Sequence, residues 1–263
     1  VTRIIHLTDL HFGFHRSELI GPLLSRIEAL RPDLVVVSGD ITHRGLPAQM
    51  QLAQDFLGRI TAPVMLMPGN HDVPLLNPIA RLFWPFSGFR EYFGPDVTPT
   101  ARVGQAQVFA LNSADPYSWQ RGKIRRGEIG RVIGGLDPSA TNIVALHHPM
   151  EQLPGIDKQP ARRAEEAMGR LQEAGVHVVL SGHLHRWAVD KVLATGRWPQ
   201  ILQVQGGTAL CARLSDMKNE FALLIIDGTE LHVEHHVAPM GVNAFEEPVI
   251  STYSRANGPW RRV

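Results

Sequence analysis

Apolar residues fall into two rhythms along this chain. "RIIHL" (3–7), "DLVVVSG" (33–39), "PVMLM" (63–67), "QVFALNS" (107–113), "NIVAL" (142–146) and "VHVVLSG" (176–182) are short, nearly continuous apolar runs, the pattern of strands covered on both faces. Between the first two, Leu19, Ile20, Leu23, Leu24, Ile27 and Leu30 recur at helical spacing behind a capping candidate, Ser17. Pro47 opens a second helix that runs to about Gly58, and an Ala/Glu/Arg-rich segment around 160–174, closed by Gly175, gives another. Strand, helix, strand, helix, strand is the order of an α/β fold with parallel pairing. The last runs, "ILQVQGG", "FALLIID" and "LHVEHHV", follow too closely for helical crossovers, so antiparallel pairing is expected there.

Residues 73–100 break the rhythm. They hold five prolines and the aromatics Phe83, Trp84, Phe86, Phe89, Tyr92 and Phe93. This reads as a cap-like insertion with its own small cluster, or equally as a surface helix hairpin docked on the core. We expect a single domain over 1–240 containing this insertion. The polar stretch 241–263 reads as a tail over the surface or over a second subunit, which leaves a homodimer open.

Composition narrows the partners. A chain of 263 residues that is 44% hydrophobic can bury a sizeable core. Lys plus Arg is 26 and Asp plus Glu is 25, so the net charge of +1 gives no field that would make nucleic acid the default partner. The single cysteine, Cys211, excludes an internal disulfide and a thiolate cluster and reads as a small buried apolar residue. No apolar stretch approaches the ~20 residues of a membrane span. The opening "VTRIIHL" runs straight into a strand, which leads us to expect a cytoplasmic protein.

The chemistry lies just after the apolar runs. "RIIHLTDLH" ends in Asp9 and His11, "DLVVVSGD" in Asp40, and "PVMLMPGNHD" in Asn70, His71 and Asp72. "NIVALHHP" ends in His147 and His148, and "VHVVLSGHLH" in His183 and His185. Ligands of open α/β sheets bind beyond the carboxyl ends of the strands, so these residues are expected to share one crevice. Asp9, His11, Asp40, Asn70, His147, His183 and His185 are too many donors for one ion. Two ions sharing a carboxylate would use them all, and such two-metal sites clamp both oxygens of an in-line displacement at phosphorus. In D-x-H and H-x-H, residues two apart in an extended segment face the same side. Gly39, Gly69 and Gly182 each precede a donor, where a missing Cβ would let the backbone turn.

In order, D-x-H, G-D, G-N-H-D, H and G-H-x-H resemble the motif series of the calcineurin-like metallophosphoesterases over residues 9–185. The wording "LTDLHFG", "SGDITHRG", "PGNHD", "LHHP" and "SGHLHRW" is most similar to the bacterial cyclic-nucleotide and glycerophosphodiester phosphodiesterases. The resemblance implies two mixed β-sheets packed as a sandwich flanked by helices, with the site at one edge. It assigns Asp9, His11 and His185 to one metal, Asn70, His147 and His183 to the other, and Asp40 to the bridge. His147 rather than His148 is chosen because the family ligand stands two places before the proline, which leaves His148 as a substrate or supporting contact.

The same resemblance makes His71 a proton donor oriented by Asp72, and a metal-bridging hydroxide the nucleophile that hydrolyses a P–O ester. His43 and Arg44 are candidates for the substrate phosphate. Nitrogen and oxygen donors without thiolate suit Mn, Fe or Zn. His6, His15, His177, His232, His235 and His236 fit no motif and read as structural. Nucleases and lipid-precursor pyrophosphatases share the motifs. The first would need a basic groove, and only "RGKIRRGE" and Arg261-Arg262 are basic here; the second would need 83–93 to form an acyl pocket. A non-catalytic metal scaffold would have lost ligands, and none is missing.

Overall fold

The computed structural model describes residues 1–189 and 197–263. Two mixed sheets face each other. The first is seven-stranded, and its half nearest the site holds β1 (Thr2–Leu7), β2 (Leu34–Ser38) and β3 (Val64–Met67), mutually parallel. β10 (Lys218–Asp227) pairs antiparallel with β1, and β11 (Glu230–Pro239), β12 (Val249–Ser254) and β13 (Arg261–Arg262) continue outward, each antiparallel to the last. The second sheet runs β4 (Thr100–Val103), β5 (Ala106–Leu111), β6 (Thr141–Leu146), β7 (Val178–Ser181), β9 (Leu202–Gln205) and β8 (Ala188–Val189).

Strand alternation explains why these runs are apolar throughout. Ile4 and Val36 face the second sheet, packing against Val108, Ala110, Ile143, Ala145, Val178 and Leu180. Their neighbours Ile5, Leu7, Val35 and Val37 point the other way, under α1 (Ile20–Leu30) and α2 (Pro47–Leu57). Val144, Leu146 and Val179 likewise face α5 (Arg126–Gly135) and α6 (Ala164–Ala174). Successive side chains thus enter different cores, giving a helix–sheet–sheet–helix sandwich as the family resemblance implied.

Three expectations differ from the structure. "ILQVQGG" supplies β9, which lies in the second sheet, antiparallel to β8 but parallel to β7, rather than pairing with β10, because Ser181 and Leu202 are far enough apart in sequence for the chain to return. The 241–263 stretch, expected as a tail over the surface or over a second subunit, instead holds β12 and β13, which extend the first sheet, and Tyr253 is buried in the inter-sheet core with Trp260 against it. The aromatics of 83–93 form no single cluster. Phe89 and Phe93, on α4 (Ser87–Phe93), join the core beneath α2, whereas Phe86 packs with Val73 and Ala114. Phe83 and Trp84, at the end of α3 (Pro78–Phe83), are exposed.

Candidate functional site

The carboxyl ends of β1, β2, β3, β6 and β7 meet where the two sheets adjoin, and each delivers the residues that follow its apolar run. Asp9 Oδ1 lies 3.1 Å from His185 Nε2 and 3.6 Å from His11 Nε2, and the two imidazole nitrogens are 3.1 Å apart. His147 Nε2 lies 3.3 Å from His183 Nδ1. Asp40 stands between these groups, with Oδ2 at 3.2 Å from His147 Nε2 and 3.8 Å from His11 Nε2. All are buried, as is Asn70, whose Nδ2 donates to the Trp119 carbonyl while Oδ1 has no partner.

Backbone strain concentrates here. Of the eight non-glycine residues with positive φ among those described, five are Asp9, His11, Asp40, His183 and His185, with φ between 50° and 71°. Each such conformation costs on the order of 1–3 kcal/mol for an L-residue and persists only when its surroundings impose it. The donors themselves thus make sharp turns, and of the preceding glycines Gly39, with φ 87°, does so as expected. Gly182 serves close approach instead: a Cβ there would overlap Thr8 Oγ1 and come within 2.7 Å of Asp9 Oδ2.

Hydrogen bonds fix which atom each donor presents. His147 Nδ1 donates to the Ser38 carbonyl (2.9 Å) and His185 Nδ1 to Asp216 Oδ2 (2.6 Å), leaving both Nε2 atoms facing the cluster. Asp9 Oδ2 is held by Thr8 Oγ1 at 2.7 Å and the His183 N–H at 2.9 Å, which turns Oδ1 toward the imidazoles. Burial alone would raise both carboxyls. His185 and His11 around Asp9, and His147, His71 and His11 around Asp40, hold both well below the usual carboxylate range. Conversely, burial opposes charge on the imidazoles, but Asp40 lifts His147 to about 9, and Asp9 with Asp216 lifts His185 to about 11. Two buried anions thus demand two positive charges. With Asn70 Oδ1 unpartnered and imidazole nitrogens facing one another, the donor set fits divalent cations taking nitrogen and oxygen ligands.

The remaining expected residues divide. His71 is at the mouth, partly exposed, with Nε2 4.0 Å from Asp40 Oδ2. Asp72 does not orient it. Its carboxylate accepts from the N–H groups of Gly69, Ile41 and Thr42 and from Thr42 Oγ1, stitching the "GNHD" turn to the loop after β2. The buried carboxyl is pushed up to about 6 by burial and by Asp40. The group that orients His71 is the His43 carbonyl, which accepts from Nδ1 at 2.6 Å. The His43 ring stacks on that of His71 at 5.6 Å, so it lies beside the mouth. Arg44 is exposed, and its main-chain N–H donates to Gln49. His148 is fully buried behind His183, against Ser113, and does not line an open face.

Three neighbours carry no sequence signal. Asp216 lies 31 positions beyond the histidine it holds. Cys211, read as apolar filler, is buried with its sulfur within 4.8 Å of His11 and His185 nitrogens. Lys158, in the loop between β6 and α6, donates from Nζ to the His183 carbonyl at 2.6 Å.

Comparison with known proteins places this arrangement. The sequence model of the calcineurin-like phosphoesterases matches residues 2–187. A glycerophosphodiester phosphodiesterase of Enterobacter lignolyticus is 39% identical over 26% of this chain and 29% of its own length. A cAMP/cGMP dual specificity phosphodiesterase of Mycobacterium tuberculosis is 27% identical over 69% of this chain and 61% of its own. The matches thus span less than two thirds of either relative. Among solved structures, a purple acid phosphatase from yellow lupin seeds superposes with a TM-score of 0.68 at 15% identity, covering 95% of this chain and 53% of that one.

Proposed function

The chain belongs to the calcineurin-like phosphoesterase family, and we propose that it is a metal-dependent phosphodiesterase that hydrolyses a P–O ester of a small phosphodiester, such as a cyclic nucleotide or a glycerophosphodiester. The observation that carries this reading is the position of Asp40 between the Asp9/His11/His185 group and the His147/His183 group.

Asp9, His11 and His185 would hold one ion, Asn70, His147 and His183 the other, with Asp40 shared. Bound ions supply Lewis acidity toward the phosphoryl oxygens and lower the pKa of water toward ~7. The rest is done by this chain's own groups. Asp216 and the Ser38 carbonyl keep the Nε2 lone pairs of His185 and His147 directed inward, a supporting role that typically matters 10–100-fold for metal affinity. His71, its Nδ1–H committed to the His43 carbonyl, presents Nε2 to the site; from the imidazolium form that nitrogen gives a proton to the departing alkoxide.

Purified protein stripped with a chelator should be inactive, and Mn²⁺ should restore hydrolysis of bis(p-nitrophenyl) phosphate, a cyclic nucleotide or a glycerophosphodiester. Full activity in a verified metal-free preparation would sink the reading.

A further inference from the structure

A phosphodiester carries a negative charge on its non-bridging oxygens, and that charge grows as the pentacoordinate state forms. Lys158 is a cationic group beside the donor set. It is half-buried, and its Nζ is pinned by the main-chain oxygen of His183 at 2.6 Å, directly behind a donor of the second ion site. One of three ammonium donors is thereby used. The charges of Asp9, Asp40 and Asp216 all act on this ammonium, yet no carboxylate lies within 4.0 Å of it among the described residues.

Arg213 is its companion. It precedes the turn Leu214–Asp216 that supplies the partner of His185, and its charge acts on His43, Asp216 and Lys158. It too forms no ion pair among the described residues. An ammonium beside a cluster of metal donors, with no carboxylate paired directly to it among the described residues, is a group that an anion would neutralise.

Building on the phosphodiesterase reading, we propose that Lys158 binds the non-bridging phosphoryl oxygens of the substrate. The carbonyl of His183 fixes the ammonium in place, so little side-chain entropy is lost when the phosphate arrives. Because the transition state carries more charge on those oxygens than the ground state, the contact favours turnover as well as binding.

The decisive comparison is Lys158→Gln against Lys158→Arg. Glutamine keeps an N–H that can reach the His183 carbonyl but removes the charge; arginine keeps the charge. Inorganic phosphate is titrated calorimetrically into Mn-loaded wild type and both variants, with Mn content measured for each. Lys158→Gln should bind phosphate at least about tenfold more weakly with unchanged Mn content, Lys158→Arg should recover most of the affinity, and kcat/KM for bis(p-nitrophenyl) phosphate should fall ~10²-fold in the glutamine variant. A smaller loss of phosphate affinity, or loss of Mn from Lys158→Gln, overturns the assignment; the second result would make Lys158 a strut for His183. If wild type binds phosphate but cleaves none of the diesters, the phosphodiesterase reading fails while the phosphate titration still decides the role of Lys158.

Discussion

Gly182→Ala tests how tightly the site is built without replacing any proposed ligand. The glycine lacks a positive φ, so alanine meets no backbone objection, only a steric one. A Cβ would overlap Thr8 Oγ1 and lie 2.8 Å from Thr8 Cβ and 2.7 Å from Asp9 Oδ2. If Thr8 rotates away, its 2.7 Å bond to Asp9 Oδ2 is lost; if the backbone retreats instead, the 2.9 Å bond from His183 N–H to the same oxygen is lost. Either bond is charge-assisted and worth ~1.5–3 kcal/mol, and overpacking adds ~1–3 kcal/mol. We expect a loss of about 3–5 kcal/mol in urea unfolding of the metal-free protein. The melting temperature should fall by roughly 10 °C. Saturating Mn²⁺ should recover little of it, because Asp9 no longer presents Oδ1 correctly. A variant within about 0.5 kcal/mol of wild type, with normal Mn affinity, would refute the claim that contact with Thr8 and Asp9 requires glycine here.

Asp40→Ala should be the most damaging single ligand change, leaving fewer than two Mn ions per chain by elemental analysis; two retained ions would remove Asp40 from the bridge. His71→Ala should keep both ions and lose ~10²–10⁴-fold on alkyl or ribose leaving groups but much less on p-nitrophenolate; equal losses would assign His71 to charge stabilisation instead. His177, whose Nδ1 accepts the Asn142 N–H at 3.0 Å, is held neutral by burial and by Arg255, its pKa lowered to about 4. The unfolded chain takes up this proton first, so the contribution of His177 to stability should be constant above pH ~6.5 and fall as pH drops toward about 4. His177→Gln should remove about one proton from the uptake on unfolding near pH 5, and an unchanged slope of unfolding free energy against pH would contradict this.

What could be read from the chain, and what could not, follows from range. Strands buried on both faces announce themselves as apolar runs, and residues just past their ends inherit a common location, so Asp9, Asp40, His147 and His183 were legible as one cluster. The groups that aim these donors were not. Asp216 and the carbonyls of Ser38 and His43 are set by tertiary contact, and a main-chain oxygen leaves no mark in a sequence. Lys158 sits in "EQLPGIDKQP", a loop whose composition says only that it turns. β9 was misplaced because short spacing argues against a crossover only when the intervening residues are few. Asp72 was given to His71 by the motif resemblance, whereas both of its oxygens are taken up by the loop after β2.

The joining of two sheets at one cluster also sets the order of events as the protein folds. Asp9 receives the N–H of His183 across 174 positions, and the Ser38 carbonyl meets His147 across 109. No fragment made early in synthesis contains a complete donor set, so the nascent chain has little with which to trap a cation. Pairings of such long range form late, after loop closure has been overcome and the sheets have docked. A cation captured then has no share in the climb to the transition state. It lengthens the lifetime of the finished molecule by slowing unfolding, while the time taken to reach that state stays the same with or without it.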